Sequence, residues 1–91
     1  MIYRRSINFR EDFERLPLDI QDIARQKFRL FQDNPRHPSL RIKKMAGRED
    51  IWEGHITQAY VFTFQWLEDP QTGEVIANFR RIGSHQIYDN P

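Results

Sequence analysis

The sequence predicts an α+β fold: an N-terminal strand, a helical hairpin, then a mainly antiparallel sheet that takes the helices on one face. Three observations carry this expectation. Apolar residues between positions 9 and 31 recur at helical spacing. From position 40 onward the apolar period drops to two. The change falls at the turn-rich run NPRHPSL, which separates the two regimes. Residues 1–91 are expected to form one domain, because a chain of this length has material for one modest core.

Ile2, Tyr3 and Ile7 fall in a short apolar and basic opening that reads as the first strand. Phe9, Phe13 and Leu16 follow at helical spacing, with Asn8 the expected cap and Glu11 and Asp12 in the first turn. Pro17 breaks that helix and suits the start of the next, where a missing N–H costs nothing. Ile20, Ile23, Ala24, Phe28 and Phe31 then mark one apolar face, and Asp33-Asn34-Pro35 ends it. LRIKKM, IWEGHIT, YVFTFQWL and EVIANFRRI read as strands. Alternation puts Trp52 and Ile56 on one side of their strand and Glu53, His55 and Thr57 on the other. Tyr60, Phe62, Phe64 and Trp66 likewise oppose Val61, Thr63 and Gln65. Gln58-Ala59 leaves room for a tight hairpin only, and Asp69 to Gly73 is a second turn. The aromatic face should take the helices and the other stay polar, giving two layers with Phe28, Phe31, Trp52, Phe62 and Phe64 as core.

Hydrophobic residues make up 38% and charged residues 30%, the balance of an ordinary soluble protein. The absence of cysteine excludes disulfides and thiolate metal sites and suits a reducing compartment. No apolar stretch reaches the length of a signal peptide or a membrane span, so a cytoplasmic protein without membrane association is expected. The net charge of +1 argues against indiscriminate nucleic-acid binding. Basic clusters at Arg4-Arg5, at 36–48 and at Arg80-Arg81 nevertheless leave room for a specific anionic partner.

Three histidines invite chemistry. His37, between Arg36 and Pro38, belongs to a rigid connector; His55 lies mid-strand on the polar face beside Glu53; His85 follows a Gly-Ser turn after an arginine pair. Cleaving RNA without metal needs a base for the ribose 2′-hydroxyl, an acid for the leaving 5′-oxygen and cations for the phosphorane. A histidine pair supplies both proton transfers near neutral pH. Guanidinium or ammonium groups clamp phosphate, and an aromatic ring stacks on a displaced base. His55, His85, Arg81 and Tyr88 are the catalytic candidates, with Arg41, Lys43, Lys44 and Arg80 as RNA-binding cations. No HxH or HxxxH spacing, glycine-rich phosphate loop, nucleophile elbow or dinucleotide fingerprint is present, so neither a metal nor a cofactor is expected.

The order strand, helical hairpin, NPRHPSLRIKKMAG, the Trp-bearing IWEGHIT with Tyr60 opening the next strand, and the ending RRIGSHQIY resembles the RelE/ParE superfamily of bacterial toxins over nearly the whole chain. The resemblance implies the toxin half of a type II toxin–antitoxin pair, neutralised by a cognate antitoxin that wraps it. In RelE-like members it further implies entry into the ribosomal decoding site and metal-independent mRNA cleavage. DNA would be met only indirectly, through the antitoxin complex. Family patterns put a cation where this chain has Glu53 and His55, another where it has Val61, an arginine or histidine at His85, and an aromatic near Tyr88. Glu53 and Val61 depart from that pattern, and His55 with His85 fits the histidine-using, YafQ-like subset. The same resemblance also admits a non-cleaving ParE-like gyrase inhibitor, or an inactive relative that only binds its antitoxin.

Overall fold

The computed structural model describes residues 1–91. β1 (Ile2–Arg5) leads into α1 (Ile7–Arg15) and α2 (Leu18–Asp33). A 3₁₀ turn at Pro38–Leu40 then precedes β2 (Lys43–Lys44), β3 (Trp52–His55), β4 (Tyr60–Glu68) and β5 (Val75–Ser84), and a 3₁₀ segment at His85–Asp89 follows the last strand. The strands form one five-stranded sheet in the order β1-β5-β4-β3-β2. Only the β1–β5 pair is parallel, because the chain crosses the helical layer and the other strands before returning beside its first strand. This is the α+β architecture that the change of period predicts. No helix is long and apolar enough to cross a membrane.

The core lies between α2 and the aromatic face of the sheet. Phe31 is fully buried, with its ring 5.3 Å from Phe64, 5.4 Å from Phe79 and 5.6 Å from Trp66 between centroids. Phe62, Phe64 and Ala24 are also fully buried, while Phe28 and Trp52 pack against this cluster half-covered. Burying a side chain such as Phe31 stabilises the fold by about 1.5–3 kcal/mol, so this one layer supplies most of the driving force.

Several local expectations are corrected. Ser6, not Asn8, caps α1, its hydroxyl accepting from the Phe9 N–H at 3.1 Å. Ile7 belongs to α1 and is 70% exposed instead of sitting in the first strand. The second strand shrinks to two residues because Pro38–Leu40 turns as 3₁₀ to bury Leu40. The β3–β4 connection spans residues 56–59, where the Thr57 hydroxyl accepts from the Ala59 and Tyr60 N–H groups. The Asp69–Gly73 turn forms as expected, with Gly73 at φ +74°.

One feature of β5 breaks the two-residue period. Phe79 pairs with Phe64 and Arg81 with Thr63, so Arg80 is an extra, bulged residue. The bulge lets Phe79 and Ile82, three positions apart, both face the helices. β1 stops pairing at Arg5, and α1 takes over that edge of β5: Ser6 donates to the Phe79 and Arg80 carbonyls, and Asp12 accepts from the Ile82 N–H at 3.2 Å. The backbone groups that β1 leaves open are thereby satisfied by polar atoms of the helix and its cap.

Candidate active site on the open face of the sheet

Strand register fixes what the uncovered face displays. Lys43, Glu53, Thr63 and Arg81 form one row across β2, β3, β4 and β5. His55, Val61 and Gly83 form the next. Gly54, between Glu53 and His55, has no side chain because the Phe62 ring and Ile42 close over the opposite face there. That fit seats β3 tightly on the core and leaves Glu53 and His55 on the open side.

The chain after β5 does not fray. Ser84 caps the 3₁₀ segment, and Ile87 is buried over Gly83, where an added Cβ would meet Ile87 Cγ2 at 3.1 Å. Val61, beside Gly83 in the register, is fully buried as a result. An apolar residue there forms part of the floor under the tail. Further along, Arg80 donates to Pro91 O at 3.1 and 3.2 Å and to Gln65 Oε1 at 3.1 Å. Arg81 donates to Asn90 O at 3.1 Å and forks onto Asp12 at 2.6 and 3.2 Å. The hydrogen bond to Asp12 raises the Arg81 pKa, against a lowering by burial. A polar recess of about 150 Å³ lies among these tail latches.

The folded tail brings His85 to His55, their ring centroids 6.3 Å apart at an interplanar angle of 66°. Tyr88 meets the His85 ring edge-on at 5.4 Å. His85 Nε2 lies 2.9 Å from the carbonyl oxygen of Gln58, an acceptor only, so Nε2 carries the proton and the neutral ring keeps its lone pair on Nδ1. The His55 ring is half-exposed, with its Nδ1 buried and unpartnered. Its pKa is lowered from the ordinary 6.5, first by burial and then by the charge of Arg41, against a raising influence from Glu53.

Glu53 is the buried charge of the site, its side chain 11% exposed and its carboxylate 3.6 Å from Lys43 Nζ. The Tyr88 hydroxyl is also buried, and its pKa is pushed up to about 12, by burial first and by the nearby Glu53 charge second. A close approach of the hydroxyl to the Glu53 side chain raises that pKa further as the third cause, although no hydrogen bond of full geometry forms. Thr63 Oγ1, next to Glu53 in the register, is buried without a partner too.

Of the residues singled out in the sequence, the fold gathers His55, His85 and Tyr88, with Lys43 and the charge of Arg41 alongside. Arg80 and Arg81 are engaged by the tail and by Asp12. Lys44 pairs with Trp52 in the register and so belongs to the helix-side row. His37 caps the 3₁₀ turn through Nδ1, which accepts from the Ser39 N–H. Sequence reasoning missed Gln58, whose contribution is a backbone carbonyl that no residue type signals. No group of three or more His, Cys, Asp or Glu side chains converges as a metal site would require.

No protein-family model matches the sequence, and no curated protein does. Solved structures do match. A YoeB/ParE toxin from Agrobacterium tumefaciens superposes with a TM-score of 0.74 at 13% identity, covering 93% of this chain and 99% of that one. YafQ from E. coli gives 0.68 at 15% identity, with 94% of each chain covered. The RelB-RelE antitoxin-toxin complex from Methanococcus jannaschii gives 0.67 at 21% identity, covering 97% and 99%. At these identities the likeness is one of fold, and the fold of this chain is the one shared by RelE, YafQ and YoeB/ParE toxins.

Proposed function

We propose that this chain is the toxin of a type II toxin–antitoxin pair, and that it cuts translated mRNA at the ribosome using His55 and His85. The observation that carries this reading is the pairing of the two rings, one with a lowered pKa and the other with a defined tautomer, on an open sheet face. Neutral His55 takes the proton of the ribose 2′-hydroxyl, and the 2′-oxygen attacks phosphorus. The P–O5′ bond breaks as His85, in its imidazolium form, gives its Nδ1 proton to the 5′-oxygen. The products are a 2′,3′-cyclic phosphate and a 5′-hydroxyl. Tyr88, protonated at any physiological pH, keeps the His85 ring oriented. Arg41 supplies positive charge to the phosphate, while Arg80 and Arg81 act by holding the tail that carries His85.

The cognate antitoxin fits a second surface. A groove of about 800 Å³ between α1, α2 and β1 has Phe9, Phe13 and Phe28 in its wall. Arg5, Arg10 and Arg29 line it without a carboxylate partner. An acidic, amphipathic segment complements that wall in charge and in apolar content. Relatives in fold were solved as RelB-RelE and DinJ-YafQ complexes, which supports a proteinaceous partner.

A non-cleaving, gyrase-binding role is favoured by one observation only, the Glu53 carboxylate beside the histidines. Translating extracts separate the two. Wild-type protein should cut mRNA only while ribosomes translate it, and His85→Ala should cut at least about 100-fold more slowly. Intact mRNA at saturating protein, with DNA supercoiling blocked, overturns the cleavage reading.

A further inference from the structure

We propose that Glu53 is a built-in brake on this site, its carboxylate holding Lys43 away from the scissile phosphate and repelling that phosphate from the histidine pair. The proposal rests on reading the open face as a phosphodiester-cleaving site, and it concerns how strongly that face takes phosphate.

The first support is the contrast between the two buried carboxylates of the chain. Asp12 is locked into the fold by a two-pronged Arg81 contact and by the Ile82 N–H. Glu53 accepts no hydrogen bond of that kind; its only ion pair is the 3.6 Å approach of Lys43. Thr63, its neighbour in the register, has an unpartnered Oγ1, and the Tyr88 hydroxyl approaches Glu53 without completing a hydrogen bond. A carboxylate kept from water with so little compensation does not stabilise the fold, so its presence calls for another explanation.

The second support is the asymmetry of the pair. The Lys43 side chain is 70% exposed and free to swing, whereas the Glu53 carboxylate is nearly enclosed and cannot leave. Lys43 is the side chain opposite Glu53 in the register, in the row next to His55. A phosphate bound against His55 therefore meets an ammonium already paired with a carboxylate. Glu53 lies two residues before His55 on the same face of β3, and its charge acts on both His55 and Tyr88.

Replacing Glu53 by glutamine keeps the shape and removes the charge. Inorganic phosphate, followed by the imidazole signals of His55 and His85 in NMR titrations, should then bind on the order of ten-fold more tightly, the effect of one unit charge at close range in a medium of intermediate dielectric. Adding Lys43→Ala to Glu53→Gln should return the affinity to within about two-fold of wild type. Lys43→Ala alone should weaken phosphate binding about ten-fold, since it leaves the repulsion of the Glu53 carboxylate uncompensated. Glu53→Ala removes the same charge and should tighten phosphate binding in the same way, which keeps the test decisive if Glu53→Gln does not fold. Phosphate binding unchanged or weakened in the folded Glu53→Gln or Glu53→Ala protein, or unchanged in Lys43→Ala alone, overturns the brake. If Glu53→Gln binds phosphate more tightly while neither it nor wild type cuts mRNA, the brake stands and the cleavage reading falls.

Discussion

His85 and Gln58 are joined across 27 positions of sequence, the Nε2 of one 2.9 Å from the main-chain oxygen of the other. A carbonyl cannot donate, so the contact selects one tautomer and aims Nδ1 away from the loop. Imidazole ¹⁵N shifts at a pH where the ring is neutral should report Nε2–H for His85. Removing the exposed ring should cost the fold less than about 1 kcal/mol in urea unfolding, because only one net hydrogen bond is lost. A larger loss would make His85 a structural residue.

Asp12 and Arg81 should behave in the opposite way. Asp12→Ala leaves a guanidinium and the Ile82 N–H without their acceptor at the edge that β1 abandons. Breaking a largely buried pair from one side should lower unfolding stability by about 3 kcal/mol. Loss of Asp12 should also loosen the tail, since Arg81 bridges it to Asn90. Faster amide exchange at residues 85–91 in Asp12→Ala measures that coupling.

His55 gives the fold a pH dependence of defined sign. Its folded pKa lies below the ordinary 6.5, so between the two values the unfolded chain binds more protons than the native one. Stability should therefore fall as pH drops through 6.5 toward the lowered folded value, and the His55 contribution should be fully present above 6.5. Unfolding in urea at pH 7.5 and at pH 5 should show a smaller difference in His55→Gln than in wild type. An equal difference in both proteins would show that the ring titrates normally.

Gly54 tests how β3 is seated. A Cβ there would run into the Phe62 ring and come within 2.7 Å of Ile42 Cδ1. Gly54→Ala should cost about 1–3 kcal/mol through overpacking, although its backbone needs no unusual angle. Phe31→Ala, at the centre of the aromatic cluster, should cost about 3–5 kcal/mol. Thermal unfolding ranks the two, and a larger loss in Gly54→Ala than in Phe31→Ala would contradict the packing described.

The layers were legible in the sequence because each rests on a repeated, local signal. Phe9 to Phe31 keep helical spacing, and Tyr60 to Trp66 alternate, so burial follows from period alone. The features that escaped are non-local. Ser6 outcompetes Asn8 as a cap because its hydroxyl also reaches the Arg80 carbonyl on a strand far along the chain. The Arg80 bulge is invisible until β5 is paired with β4. Within the site, His55 was readable on the polar face of its strand and His85 in the turn after the last strand. That Arg81 would fork onto Asp12, and that Lys44 would face away from Lys43, depends on where β1 ends and on a register two residues long. Glu53 was visible as a departure from the toxin pattern, but only the fold shows how little holds it.

The pairing of His55 with His85 as an RNA-cleaving couple is tested most directly by the chemistry of the ends it leaves. In cells induced to express the protein, translated mRNAs should acquire new 5′-hydroxyl ends. Those ends should vanish when both His55 and His85 are replaced by alanine in a protein that still folds. New ends that persist in the double variant, or growth arrest with no new RNA ends in wild type, would contradict the account.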